Sequence, residues 1–216
     1  MTVPRAAQGT VVAKRNRTQF QGNGACVSGF SLTELVVALA VGMILMAVAM
    51  PSFLRAYRAY QLTTAATQMA DMLRLTRYEA IRLNRQVNCV VQPDATDPTM
   101  TQASMTDKNS NPLTGNAARV VLLGNSGNLV DAGSVAGAAN LPAAANLGPT
   151  VPVPVPPAGA TIRFDARGAL MSGYVDVLYL NSPNAADAGY RAVLLTPAGS
   201  IQIWAGDNSG NWVQLR

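Results

Sequence analysis

Histidine is absent from this 216-residue chain. Its absence removes the commonest general base and the commonest protein metal ligand. Cysteine amounts to Cys26 and Cys89 alone. No G-x-S-x-G, P-loop or G-x-G-x-x-G motif occurs, so the usual nucleophile elbow and nucleotide cradles are missing. Asp107-x-Asn109-x-Asn111 has the opening spacing of a calcium loop. Pro112 stands where such a loop needs glycine, and Ala118 where it needs a bidentate glutamate. Asp94, Asp97 and Asp131 fall in polar stretches without ligand spacing. These absences point to a structural protein with no catalytic residue, cofactor or metal.

Charge is missing from one long stretch. Residues 35–54 are twenty in a row without a charged side chain. As a helix rising about 1.5 Å per residue, they would span the roughly 30 Å hydrocarbon core of a bilayer. Glu34 stands at the head of this run. A carboxylate inside a membrane helix costs about 2.5–3.5 kcal/mol on insertion scales and usually serves a specific partner. The formal charge of +5 is not a nucleic-acid signature. Arg5, Lys14, Arg15 and Arg17 precede Gly29, and past that point twelve basic residues face eleven acidic ones. A basic flank ahead of an apolar span orients it with that flank in the cytoplasm and the C-terminal part outside. Two plain readings fit such a segment: a secretory signal with Ala47-Val48-Ala49 as its small-residue cleavage site, or an uncleaved anchor. The long polar leader and the carboxylate at Glu34 speak against the first.

Gly29-Phe30-Ser31-Leu32-Thr33-Glu34, followed by the apolar run, resembles the processing site of type IV prepilins. The resemblance implies cleavage after Gly29 by a prepilin peptidase and methylation of the new N-terminal Phe30. It also implies pairing of Glu34 with the Phe30 amine of a neighbouring subunit. Pro51 falls where many type IV pilins carry a proline, and with Gly42 it implies a helix segment able to melt during assembly. Cleavage would discard Cys26, leaving Cys89 unable to form an internal disulfide or a thiolate zinc site.

Beyond residue 54 the pattern changes. Leu62, Ala65, Met69, Leu73, Thr76, Ala80, Leu83 and Val87 recur at intervals of three and four, one stripe of a continuing helix. Arg74, Arg77, Arg82 and Arg85 fall largely on the opposite side, where a solvated face is expected, with partner or nucleic-acid contact as the alternative. Strands are predicted at 86–92, 119–123, 161–164, 174–180, 191–195, 200–204 and 212–215, separated by Gly, Pro, Asn and Asp turns. Residues 207–211 read as a hairpin loop between two Trp-bearing strands. Short turns without intervening helical pattern predict an antiparallel sheet. Two long insertions, 93–118 and 124–160, are expected to be disordered or surface decoration, with a Pro-rich partner-binding strap as the alternative. The second ends in Val151-Pro152-Val153-Pro154-Val155-Pro156-Pro157, whose alternating prolines predict a polyproline path outside any ladder.

The run Thr161-Ile162-Arg163-Phe164-Asp165-Ala166-Arg167-Gly168, then Tyr190–Leu195 and Gly199-Ser200-Ile201-Gln202-Ile203, resembles a narrower group. These are the H-type minor pseudopilins of type II secretion and the T-type fimbrial minor pilins. The expected fold is α+β, a long N-terminal helix carrying an antiparallel sheet head. The expected division is a leader at 1–29, a membrane and assembly helix at 30–54, and a periplasmic head at 55–216. Within the head, 55–85 continue the helix and 86–216 are β-rich. Expected partners are the prepilin peptidase, other pilins or pseudopilins of the filament, and the bacterial inner membrane. Competing readings are a DNA-binding minor pilin and an unrelated single-pass periplasmic anchored protein. DNA is disfavoured, because the mature charge is near neutral and the C-terminus lacks the clustered Lys/Arg that phosphate contacts need.

Overall fold

The computed structural model describes residues 31–97, 100–114, 120–123, 127–147, 152–182 and 186–215. The chain divides into two units, residues 1–44 and 45–216. In the first, the described residues are Ser31 and the opening of α1 (Leu32–Arg82).

Ser31 caps this helix. Its Oγ accepts the Glu34 N–H at 3.2 Å and its carbonyl accepts the Leu35 N–H at 3.2 Å. One of the free donors of the first turn, the Glu34 N–H, is thereby satisfied, and the Leu35 bond is the first of the regular helical series. The helix then continues for 51 residues, running through Pro51 without a break. It stops where Asn84 takes a left-handed conformation, φ 47°. The Arg85 N–H bonds the Ala80 carbonyl and the Asn84 N–H bonds that of Ile81, the paired closure of a Schellman end.

Burial begins late along α1. No residue from 31 to 57 is buried, and Leu62 is the first that is fully enclosed. From there Ala65, Met69, Leu73, Thr76 and Ala80 form the predicted stripe, widened by Ala66, Ala70, Met72 and Glu79. Small residues on this face let two sheets approach the helix closely.

The predicted single sheet is in fact two. The first has the order β3 (Val120–Leu122), β2 (Thr101–Asp107), β1 (Val87–Pro93), β6 (Ala160–Phe164), all antiparallel. The second has the order β10 (Trp212–Leu215), β9 (Ile201–Gly206), β8 (Tyr190–Leu195), β7 (Asp176–Asn181), β4 (Asn128–Leu129). All seven predicted strands appear, with ends shifted by a residue or two. One core joins the helical stripe to the inner faces of both sheets, through Val87, Cys89, Ile162, Phe164, Leu178, Leu180, Val193 and Leu195. A second core covers the outer face of the second sheet, through Val177, Tyr179, Leu194, Trp204 and Trp212. Strands β7 and β8 are therefore buried on both faces, which is why they read as unbroken apolar runs.

The long insertions are where expectation and structure part. Within 93–118, residues 101–107 form β2, the inner partner of β1. Its inward side chains are Thr101, Ala103 and Met105, so the alternation is present but too polar to stand out. Within 124–160, a short helix α2 (Leu141–Ala144) places Leu141 fully buried in the outer core. Trp212 Nε1 donates to the Gly137 carbonyl at 2.7 Å, and Asn140 Nδ2 to the Gly210 carbonyl at 3.0 Å. Gly137 and Gly210, both at positive φ, lie so close that a Cβ on either would overlap the other's backbone. The described part of this insertion is a packed cover, not a loose strap.

The proline tract also joins a ladder. β5 (Val153–Pro154) pairs in parallel with β7. The Val153 N–H bonds the Val175 carbonyl at 2.7 Å and the Val155 N–H bonds that of Val177 at 2.8 Å. In an extended strand alternate N–H groups face opposite edges, so valines at 153 and 155 supply every donor the ladder uses. The prolines fall on the edge that needs none.

Candidate functional site

The functional residues named from the sequence lie before α1, on it or, for Arg85, just past its end. Gly29 and Phe30, the expected cleavage and methylation sites, lie outside the described residues. Glu34 is in the first helical turn, exposed, and makes no ion pair with a described residue. A carboxylate there complements the positive end of the helix dipole. The Ser31-x-x-Glu34 spacing is that of a capping box, a signal available in the sequence and missed there. Glu34 thus has a local reason to follow Ser31 besides any partner in a neighbouring subunit. From Leu35 to Leu54 every side chain is exposed, including Val36, Leu39, Ile44, Leu45 and Phe53. Among the described residues, α1 is the one helix long and apolar enough to cross a membrane. Pro51 is exposed within it.

Of the four arginines, Arg74, Arg82 and Arg85 are exposed, as a solvated face requires, and Arg77 is not. Arg74 is exposed and pairs with Asp71 at 2.8 Å. Arg82 pairs at 2.8 Å with Glu79, whose own side chain is buried. Arg85 is exposed near Asp107. The Asn111 N–H is the main cause holding the Asp107 carboxyl below its usual range, with the Asn109 N–H and the Arg85 charge as smaller ones. The correction concerns Arg77, which is half-buried and turned inward. Its Nε donates to the Gly168 carbonyl at 3.0 Å and its Nη2 to the Ala198 carbonyl at 3.3 Å.

Arg77 is the point where helix and both sheets meet. Gly168 lies in the turn after β6, in the first sheet, and Gly199 in the β8–β9 hairpin of the second. Both have φ close to +80°. A Cβ on Gly199 would overlap the Gly168 carbonyl oxygen, and one on Gly168 would come within 3.0 Å of the Arg77 stem. The two turns are clamped together under one guanidinium.

A second clamp was not foreseen. Arg191, in β8, is 8 % exposed. Its Nε donates to Thr63 Oγ1 at 3.0 Å, its Nη2 to the Ala59 carbonyl at 3.4 Å and its Nη1 to the Tyr190 carbonyl at 2.8 Å. Burial lowers its pKa from the ordinary arginine value. The clue was an arginine leading an apolar strand, and three oxygen acceptors account for it. Nearby, Asp187 faces Arg55 at 3.4 Å and Arg58 at 3.8 Å. Arg77 and Arg191 thus fasten the sheets to two levels of α1, leaving residues 32–54 free of packing against described residues.

This division of one helix into an unpacked apolar segment and a clamped segment is matched by two family models. A prokaryotic N-terminal methylation motif covers residues 25–50. The type II transport protein GspH model covers residues 65–199, more than half of the chain. The chain belongs to the GspH family. Members of this class are structural subunits, minor pilins or pseudopilins, and this GspH-family chain is one of them. Among solved structures, two crystal forms of the type IV minor pilin FimU from Pseudomonas aeruginosa strain PAO1 are similar. They share 16 % and 18 % identity, cover 70 % and 71 % of this chain and 96 % and 93 % of their own, with a TM-score of 0.40 each. A likeness at that level carries no functional weight. No curated protein matches the chain significantly.

The arrangement offers little to a nucleic-acid reading. Phosphate contact needs several unengaged cations on one surface. Arg77 is spent on carbonyls, and Arg74 and Arg82 on carboxylates of the same helix. No group of three or more Cys, Asp or Glu side chains among the described residues is placed to hold a metal ion.

Proposed function

We propose that the chain is a minor pseudopilin of a type II secretion filament, with a type IV pilus as the alternative machine. The GspH family match favours the first. Residues 30–54 cross the inner membrane and residues 55–216 stand in the periplasm. A prepilin peptidase cuts after Gly29, Phe30 is methylated, and the exposed apolar segment then packs among other pilin-like helices. The carrying observation is that segment: twenty uncharged, exposed helical residues headed by one carboxylate, most of them inside a methylation-motif match.

Glu34 supplies the assembly electrostatics in this reading. Withdrawn from water in a lipid or filament core, its carboxylate is stabilised by the Phe30 amine of a neighbouring subunit. Removing one partner of such a buried pair costs about 3–5 kcal/mol. Gly42 and Pro51 supply the weak point at which the helix loosens on packing.

The test is mass spectrometry of the mature N-terminus from native membranes, followed by two substitutions. A methylated Phe30 is the expected result, and an intact Met1 or a start at Met50 would discard the filament reading. Glu34→Ala should be processed normally yet enter filaments poorly, and normal incorporation removes the assembly role from Glu34. Gly29 replaced by a bulky residue should block cleavage, and unaltered processing counts against the peptidase site.

A further inference from the structure

Sheet edges in this protein are treated unequally. The β5 edge is blocked by Pro152, Pro154 and Pro156, which offer no donor to an incoming strand. Strand β6, at one edge of the first sheet, turns the exposed charge of Arg163 outward. Strand β3, at the other edge, is Val120-Val121-Leu122, with no charge, proline or glycine. Val120 is 54 % and Leu122 51 % exposed.

The register shows which backbone groups are free. The Leu123 N–H bonds the Thr101 carbonyl at 2.9 Å, so Thr101 and Leu123 form a hydrogen-bonded pair. Two residues on, Ala103 and Val121 form the next. Val120 and Leu122 therefore turn their N–H and C=O groups away from β2, and those groups line the open edge.

Beside that edge runs a groove. Two adjoining cavities of about 270 and 250 Å³ share Gln68 and Leu122. The helical wall runs from Tyr57 and Tyr60 past Thr64 and Gln68 to Met72, about 22 Å at 1.5 Å per residue. Tyr57 and Tyr60 are 50 % and 70 % exposed. The one acidic side chain on the wall, Asp71, is already paired with Arg74.

We propose that β3 and this groove receive an extended, uncharged segment of a neighbouring pilin-like subunit, added as a further strand. Backbone groups on Val120 and Leu122 that no described residue pairs call for a strand rather than a helix, since only an extended chain presents matching groups at that spacing. The neutral wall calls for uncharged side chains on the face of that strand turned toward Tyr57 and Tyr60. The occupant is a neighbouring subunit because Tyr57 and Tyr60 continue, on the same helix, the apolar run that the proposed function packs into the filament; the inference rests on that reading.

The test places the photo-crosslinking residue p-benzoylphenylalanine at Val120 of the full-length chain in native membranes, with mass spectrometry of the adduct. The expected cross-link lies in an extended, uncharged segment of a co-assembled pilin-like subunit. Leu122→Lys should lower its yield roughly tenfold or more, because a lysine on an edge strand opposes the addition of a further strand. Leu122→Pro should do the same, as it deletes an outward N–H and none that serves β2. Protection of the buried Cys89 from alkylation reports that the first sheet is still folded in each variant. Cross-links to lipid or to a helix, no cross-link, or yields unchanged by either substitution overturn the proposal. If co-assembly and Phe30 methylation persist in that case, only the edge site falls; if they too are absent, the filament reading falls with it.

Discussion

Replacing Arg77 by alanine should loosen the head without unfolding it. The change removes two hydrogen bonds from a charged donor to the Gly168 and Ala198 carbonyls. Hydrogen bonds to charged groups contribute about 1.5–3 kcal/mol each. The Nη2 bond is long at 3.3 Å and exposed, so it belongs at the bottom of that range or below it. Water can replace the guanidinium at the exposed Ala198 carbonyl, whereas Gly168 is buried and its carbonyl keeps part of the penalty of an orphaned acceptor. Together with the lost contact of the arginine stem, the cost comes to about 2–3 kcal/mol. For a domain of this size each kcal/mol lowers Tm by roughly 2–4 °C, giving a drop of about 5–10 °C. The assay is urea and thermal unfolding of a soluble form beginning at Arg55, followed by Trp204 and Trp212 fluorescence. The urea slope should stay constant, since the surface exposed on unfolding is unchanged. Arg77→Lys keeps charge and stem but lacks the planar fork, and should recover less than half of the loss. A drop below about 2 °C, or a lysine variant as stable as the parent, would refute the clamp, because solvent-exposed arginines behave that way.

Two further outcomes follow from the second sheet. Burial is the larger influence on Asp176 and raises its pKa, the Ser172 hydroxyl partly opposing it. A carboxyl raised on folding adds stability only below its unfolded pKa, about 3.9, and loses it as pH rises through the folded value. Asp176→Asn should therefore stabilise the head at pH 7, by under about 1 kcal/mol after solvent screening, and this gain should vanish near pH 3; an equal Tm shift at both pH values refutes the assignment. In the proline tract, Val155→Pro deletes the N–H bonded to Val177 and should cost about 3 kcal/mol, whereas Pro154→Ala should cost less than about 1. Equal losses in thermal unfolding would mean that β5 does not pair as described.

The helix was the most legible part of the chain because its two regimes have different periods. An unbroken apolar run and a three-four stripe need no tertiary information to be told apart. Strands buried on both faces, such as β7 and β8, declared themselves by β-branched and aliphatic runs. What the sequence hid was pairing at a distance. Strand β2 presents Thr101, Ala103 and Met105 inward, a pattern too polar to separate from a loop until β1 lies beside it. The tract 152–157 looked unable to pair because prolines were counted and the direction of the intervening valine N–H groups was not. Arg77 looked solvated because helical spacing gives a residue's side of the helix, not the turns that other elements bring to it.

Those turns bear on what the family match means. The GspH model begins at Ala65, on the buried stripe, and ends at Gly199. Between these limits lie Arg77, Gly168 and the β8–β9 hairpin as far as the glycine whose missing side chain lets that hairpin sit on the Gly168 carbonyl. The insertion at 124–160 lies inside the same span; its residues 130–147 cover the outer face of the second sheet, while Gly127 meets the helix at Ala65 and Leu129 and Val155 join the inner core. A long, proline-bearing insertion is therefore compatible with the family's frame. It adds a layer on one face while the helix-to-sheet junction, built from one arginine and two glycines at positive φ, stays as it is. Residues 32–54 need nothing from that junction, and the head needs nothing from them. One helix can thereby serve a packed domain at one end and a lipid or filament environment at the other.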